Sequence, residues 1–369
     1  MLTAIERLKI ELMTHGLGIG PEVRRVLQGN ERDKRPLTLA DYASTSGVSM
    51  RLGADIWVNA PIIDFNPNFV TRPAAELVWA DGGFRVRTDS FEIDALPLPV
   101  PAYHDQVNDA GERYTSFAIT HTDRVRISPV QGCAITCQFC DLPYEFRYGT
   151  KRVDGLVDSV RRALADPVLP AHHVLISGGT PRVDDYGYVN EVYDRVCAAF
   201  PETAVDVMMV PMAGLLDPAR LKAAGVHGMS INLELYNAER ASKVMAGKAK
   251  ISREAMLDFI ASAAEVFGPG RVRSLLLLGL EDLDDTLQAV RCLAERGCDP
   301  VLSPFRPDPS TPLRGLLPPD TATLATAYEA ARDIVAEYSD VRLGPRCIPC
   351  HHNTLTFPDG TDAYYVTEP

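Results

Sequence analysis

From residue 124 onward the chain alternates two hydrophobic rhythms: short apolar runs of strand character, and stretches whose apolar positions recur every three to four residues. The pattern predicts strands at 125–130, 173–177, 205–210, 228–233, 272–278 and 300–305. Helices are predicted near 153–165, 186–199, 216–224, 238–246, 252–266, 284–296 and 320–338. Strands that alternate with helices imply a parallel sheet with right-handed crossovers. Ligands of such sheets sit at the carboxyl ends of the strands. Ahead of this core, 2–12 reads as an amphipathic helix, with Ile5, Leu8 and Leu12 on one face and Glu6 and Lys9 on the other. Gly16, Gly18, Gly20 and Pro21 are expected to stop it. From Val48 to about Tyr103 the text is strand-like, with prolines between segments. The expected organisation is an α+β accessory region over 1–120, the core over 121–340 and a tail over 341–369.

The 369 residues suffice for one large barrel with an appendage or for two domains, and a composition of 46% hydrophobic and 23% charged residues is ordinary for a globular chain. The net charge of −12 argues against a nucleic-acid partner held through phosphates. The local basic run from Arg147 to Arg152 reads as a solvated loop or a small anion site. No apolar run reaches membrane-spanning length, and the first residues lack the apolar core of a signal peptide. Eight cysteines, three of them tightly grouped, point to metal chemistry in a reducing cytoplasm.

That group is Cys133, Cys137 and Cys140, a C-x3-C-x2-C spacing on the loop leaving the first core strand. Thiolates are soft ligands suited to iron–sulfur clusters. Three of them around a four-iron cube leave one iron open to bind and reduce something. A structural zinc site needs four closed ligands, and no fourth cysteine or histidine lies nearby on this loop.

The spacing, with Phe139 just before the last cysteine, resembles the radical S-adenosylmethionine (radical SAM) superfamily. The resemblance runs over about 124–313 and is nearest to the biotin synthase and lipoyl synthase branch. It implies an α/β fold, a partial (β/α)6 TIM-like barrel with an N-terminal accessory region and a cysteine-containing tail. It implies a [4Fe-4S] cluster on Cys133, Cys137 and Cys140, with SAM on the open iron. Gly178, Gly179 and Thr180 stand where the superfamily often carries Gly-Gly-Glu at the methionine amino group; Thr180 replaces the glutamate. Asn232 and Glu234 match an Asn-Leu-Glu/Asp stretch, Glu234 facing the ribose. Arg253 matches an arginine aimed at the SAM carboxylate, and Gly279 and Glu281 match a strand ending that lines the adenine pocket, with Phe139 beside it. Ser303 through Leu313 resembles the branch's closing segment, with Ser310 in place of a glycine. A flavodoxin or ferredoxin would supply the electron, and the radical would abstract hydrogen from a small-molecule substrate deeper in the barrel. A different SAM orientation would instead transfer a 3-amino-3-carboxypropyl group to an acceptor near the tail. A non-radical iron–sulfur or zinc protein, binding a partner or passing electrons, is the reading from another class.

Cys347 and Cys350, followed by His351, give a second ligand-like spacing in the tail. Three roles stay open: a structural zinc, an auxiliary cluster, or thiols that bind substrate. The tail pair is expected to face the barrel opening and, with the accessory region, to close it. Cys197, Cys292, His172, His173 and His227 read as core or surface residues.

Overall fold

A computed structural model describes residues 2–27 and 47–359. The chain opens with α1 (Ala4–His15), whose start is a capping box: the Thr3 hydroxyl accepts from the Glu6 N–H and the Glu6 carboxylate accepts from the Thr3 N–H. Then come β1 (Leu17–Ile19), α2 (Pro21–Leu27), β2 (Gly47–Leu52), β3 (Ile56–Pro61), β4 (Ala75–Ala80), β5 (Gly83–Arg87) and β6 (Glu92–Pro97). These strands form one sheet in the order β1-β4-β5-β6-β2-β3, antiparallel except where β1 lies beside β4. The glycine run expected only to stop α1 therefore also contains a strand, added to the sheet edge by pairing with residues 75–77.

The second sheet begins with β7 (Ala118–His121) and β8 (Arg124–Ile127), followed by the short β9 (Val130–Gln131), α3 (Leu142–Glu145) and β10 (Gly149–Thr150). The repeating part is α4 (Val153–Leu164), β11 (His173–Ile176), α5 (Tyr186–Ala199), β12 (Ala204–Met208), α6 (Pro218–Ala223), β13 (Val226–Ser230), α7 (Ala238–Val244), α8 (Arg253–Phe267), β14 (Val272–Leu278), α9 (Leu283–Ala294), β15 (Asp299–Pro304) and α10 (Thr321–Val335). The order β15-β14-β13-β12-β11-β8-β7 is parallel throughout except for β7, giving a curled α/β half-barrel. The six expected core strands are all present, and β7 adds an antiparallel edge. Alternation along each strand explains the layering. Val125, Ile127, Val174, Ile176, Val205 and Val207 are buried in the main apolar core. Arg124, Asp206 and Arg273 fall out of phase with these positions and share the other face.

The tail carries α11 (Ile348–His351). It lies along β15: the Gly344 N–H donates to Pro300 O at 2.8 Å, the Leu355 N–H to Leu302 O at 2.8 Å and the Ser303 hydroxyl to Asn353 O at 3.0 Å. It is also tied to the accessory region, since the Asn59 N–H donates to His352 O at 2.8 Å and buried Lys9 donates to His351 O at 2.8 Å and Thr356 O at 2.6 Å.

This seam holds buried neutral histidines. Burial first, then nearby cations, lowers the pKa values of His173 and His351 to about 3, and burial lowers those of His121 and His352 well below the ordinary value. Neutral in the folded state, these groups take up protons on unfolding once the pH drops below about 6.5, so stability is lost as pH falls. Asp123, raised by burial to about 7, acts in the opposite direction. Between pH 6 and 5 His173 and His351 each cost about 1 kcal/mol, Asp123 returns about 1, and His121 and His352 add to the loss, so stability falls by about 1 kcal/mol or more. Urea midpoints at pH 7.5, 6 and 5 measure this; a midpoint unchanged down to pH 5 would contradict it.

Candidate active site

The cysteine loop is pinched at its neck by β9 and β10, where Val130 pairs with Thr150 and Gln131 with Gly149. Its body docks on the carboxyl ends of the strands. The Ala134 N–H donates to Thr180 O at 2.9 Å, and the Thr180 N–H donates to the Cys133 sulfur at 3.1 Å. On the other side the Gln138 N–H donates to Val244 O and its side-chain amide to Lys243 O, both at 2.8 Å. Cys137 is buried in an apolar cluster with Leu235, Val244, Met245, Leu280 and Phe305, against which Phe139 and Cys140 pack. Gly179 is the contact point under the loop: a Cβ there would lie 1.9 Å from Gly132 O and 2.8 Å from Cys133 Cα.

Burial, and next the charge of Glu234, pushes the Cys137 thiol up to about 12; burial and then Asp141 push Cys140 up as well. Cys137 feels the charge of Cys133, and Cys140 feels those of both Cys137 and Cys133. Alone, Cys137 and Cys140 hold their protons, and a cationic centre is needed to turn them into ligands. Three thiols on a docked loop, one already accepting a backbone N–H, suit an iron–sulfur cluster.

Glu234 follows β13 with a φ of +67°, held there by donating its N–H to Leu275 O at 2.8 Å and accepting from the Leu277 N–H at 2.9 Å. Its carboxylate meets Lys248 Nζ at 2.9 Å, and Lys248, 4% exposed, also donates to Asn232 O at 2.5 Å. Leu235 and Ala249, the chain neighbours of Glu234 and Lys248, pack in the apolar cluster around Cys137, which places the pair beside the loop. Sequence reasoning missed Lys248. Its only signal is a lysine in an otherwise small and apolar stretch, Val244 to Ala249.

The other expected residues divide. Gly178, with φ +142°, packs on Ser128, and Thr180 is buried under the loop. The Asn232 side-chain oxygen accepts from the Ser230 hydroxyl at 2.9 Å and so is engaged with the sheet. Glu281 accepts the Tyr236 and Asn237 N–H groups at 2.8 Å each and the Thr286 hydroxyl at 3.2 Å, holding the turn into α7. Arg253 stacks on the Tyr236 ring at 4.4 Å and pairs with Glu254 at 2.8 Å. Glu281 and Arg253 thus meet at the Tyr236 turn. Gly279, with φ +98°, leaves room for Pro319.

The tail pair is elsewhere, which corrects the expectation that it faces the barrel opening. Cys350 Sγ lies 2.7 Å from Arg124 Nη1, at the first residue of β8, while the cysteine loop leaves the far end of that strand. The cause is the backbone pairing of the tail with β15, which carries it back toward the strand starts. Cys347 Sγ is 3.0 Å from Cys350 Sγ, and His351 directs Nε2 to Pro345 O at 3.0 Å. The hydrogen bond from Cys347 pulls the Cys350 pKa well below that of an ordinary thiol, against the cost of burial and with help from Arg124 and Arg273. Among the described residues no group of three or more His, Cys, Asp or Glu side chains closes on a single metal ion, at either end of the barrel. Among them, too, no helix is long and apolar enough to cross a membrane.

Residues 127–293 match the family model of the Radical SAM superfamily. The bacteriochlorophyllide c C-7(1)-hydroxylase of Chlorobaculum limnaeum is 26% identical over 191 residues, 51% of this chain and 44% of the relative, so the match spans under half of that protein. Among solved structures, a radical SAM methyltransferase from Sphaerobacter thermophilus aligns with a TM-score of 0.47 at 17% identity, over 73% of this chain and 77% of the other. The FeFe-hydrogenase maturase HydG from Carboxydothermus hydrogenoformans aligns with a TM-score of 0.45 at 16% identity, over 60% and 54%. Residues 127–293 thus form a domain similar to those of the radical SAM superfamily, enzymes that work with a [4Fe-4S] cluster and S-adenosylmethionine.

Proposed function

We propose that this enzyme cleaves SAM reductively at a [4Fe-4S] cluster held by Cys133, Cys137 and Cys140, and abstracts a hydrogen atom from a small metabolite or amino-acid-derived substrate. The observation that carries the reading is the cysteine loop docked on the strand ends through Thr180 and Gly179, with half-buried Glu234 and buried Lys248 paired beside Cys137. When bound, the cluster and SAM supply a 5′-deoxyadenosyl radical. The chain's own residues bind, orient and exclude water. Gly178 and Gly179 bring backbone close enough to receive the methionine amino group. Glu234 accepts from the ribose hydroxyls through charge-assisted hydrogen bonds, and Lys248, 2.9 Å from its carboxylate, holds it in place. The apolar cluster of Leu235, Leu280 and Phe305 keeps the loop dry. A flavodoxin or ferredoxin supplies the electron. The relative whose name places a hydroxylation on a bacteriochlorophyllide carbon supports a small-molecule C–H position as target.

The test is product analysis with anaerobically reconstituted protein, SAM and a one-electron reductant: 5′-deoxyadenosine is expected, and methylthioadenosine in its place would reject the reading. Lys248→Met leaves the Glu234 carboxylate without its cation, and SAM affinity is expected to fall about tenfold or more. Lys248→Arg should retain most of it. Equilibrium dialysis of SAM against the reconstituted proteins measures both, and equal affinities for wild type and Lys248→Met would remove Lys248 from the site.

A further inference from the structure

We propose that Cys347 and Cys350 form a redox-active dithiol–disulfide couple at the base of the barrel, a site of thiol–disulfide exchange with small anionic disulfides. Three observations carry it. First, the two sulfurs already lie 3.0 Å apart within one turn of chain, the Cys350 N–H donating to Cys347 O at 3.1 Å. Little rotation separates this contact from a bond. Second, the surroundings are cationic. Arg124 Nη1 stands 2.7 Å from the Cys350 sulfur and 3.8 Å from that of Cys347, and the charge of Arg273 reaches both. Guanidinium groups favour a thiolate and oppose a divalent cation, so the environment suits exchange chemistry better than metal binding. Third, the pair is reachable. Cys350 is half-buried, and Cys347 lies at the floor of a shallow surface cleft with a volume of about 20 Å³, whose other walls include Arg271, Arg273, Arg346, Asp206 and Asp299. Asp206 pairs with Arg273 at 2.9 Å and Asp299 with Arg346 at 2.8 Å, so the excess positive charge of the cleft is that of Arg271, which favours a disulfide bearing carboxylates.

The exchange balances as follows. The Cys350 thiolate attacks one sulfur of the small disulfide, breaking its S–S bond and releasing one thiolate. Cys347, its proton passing to solvent, attacks the Cys350 sulfur, forming the intrachain bond and releasing the second thiolate. The pair loses two electrons and the small disulfide gains two. Because the tail is tied to Lys9, Asn59 and Leu302, oxidation acts on the seam between the accessory region and the barrel. The proposal stands or falls independently of the chemistry at the cysteine loop.

The experiment uses the full chain with its loop cluster reconstituted, equilibrated anaerobically over a series of reduced-to-oxidised glutathione ratios, quenched in acid, alkylated and digested. The peptide holding residues 347 and 350 is expected to convert from two alkyl groups to none, with a two-electron midpoint. Cys347→Ser is expected to stop at one glutathione adduct on Cys350. Arg124→Met removes the group that stabilises the reduced form, so half-conversion is expected at about a tenfold lower oxidised fraction. Two alkyl groups at every ratio would overturn the proposal. So would a stoichiometric metal ion that blocks alkylation and is released only by a chelator. 5′-Deoxyadenosine formation in the same samples reports separately on the loop.

Discussion

Cys137→Ser is expected to give a folded chain with substoichiometric iron and a 5′-deoxyadenosine rate at least about 10³-fold below wild type, some 4 kcal/mol of lost catalysis. Cys137 is the most informative of the three because it is the buried one, at 9% exposure, seated among Leu235, Val244, Met245, Leu280 and Phe305. Serine is close to cysteine in shape, so the loop's backbone contacts through Ala134 and Gln138 remain. What goes is the soft donor, and an alcohol does not replace a thiolate on iron. Cys197→Ser is the control. That residue lies in α5 against the main core, so the exchange costs some stability but leaves iron content and product formation within about twofold. Full iron and an unchanged product rate in Cys137→Ser would remove the loop from the chemistry.

Gly179→Ala is expected to lose the cluster although no ligand is touched. The added methyl would sit 1.9 Å from Gly132 O and 2.8 Å from Cys133 Cα, backbone contacts that no side-chain rotation relieves. Either the loop lifts from the strand ends, breaking the contacts at Thr180 O and Cys133 Sγ, or the strand end shifts. Overpacking of this kind costs about 2 kcal/mol or more. Gly187→Ala gives the opposite sign. No atom lies within 4 Å of a Cβ there, and the residue is in α5, so alanine is expected to stabilise by about 0.5–1 kcal/mol. Thermal unfolding and iron analysis of the two variants separate the effects. Wild-type iron and unfolding temperature in Gly179→Ala would show that loop docking does not set the site.

Much of the core was legible because its signals are local. The helix expected near 252–266 is Arg253–Phe267, whose buried Met256, Leu257, Ile260, Ala263, Ala264 and Phe267 form one stripe. The strand expected at 272–278 is Val272–Leu278. The start of the accessory region was less legible. Glycines 16, 18 and 20 give a strong break signal, yet β1 forms there because β4 supplies a partner 58 residues away at Leu17↔Ala75. Strand formation at a sheet edge depends on such a partner more than on intrinsic preference. The loop trio could be read from spacing, whereas Lys248 had no such mark, and Glu281 carried a motif but spends its carboxylate on two backbone N–H groups.

By itself the sequence determined the order of strands and helices and put three thiols on one loop after a strand, since both follow from residues within a few positions of one another. Only the tertiary structure decided which end of the barrel receives the tail and which cation meets Glu234. Arg124 and Cys350 are 226 residues apart. Their meeting is set by the path of the tail along β15, which hydrogen bonds between distant backbone groups select and no local pattern encodes.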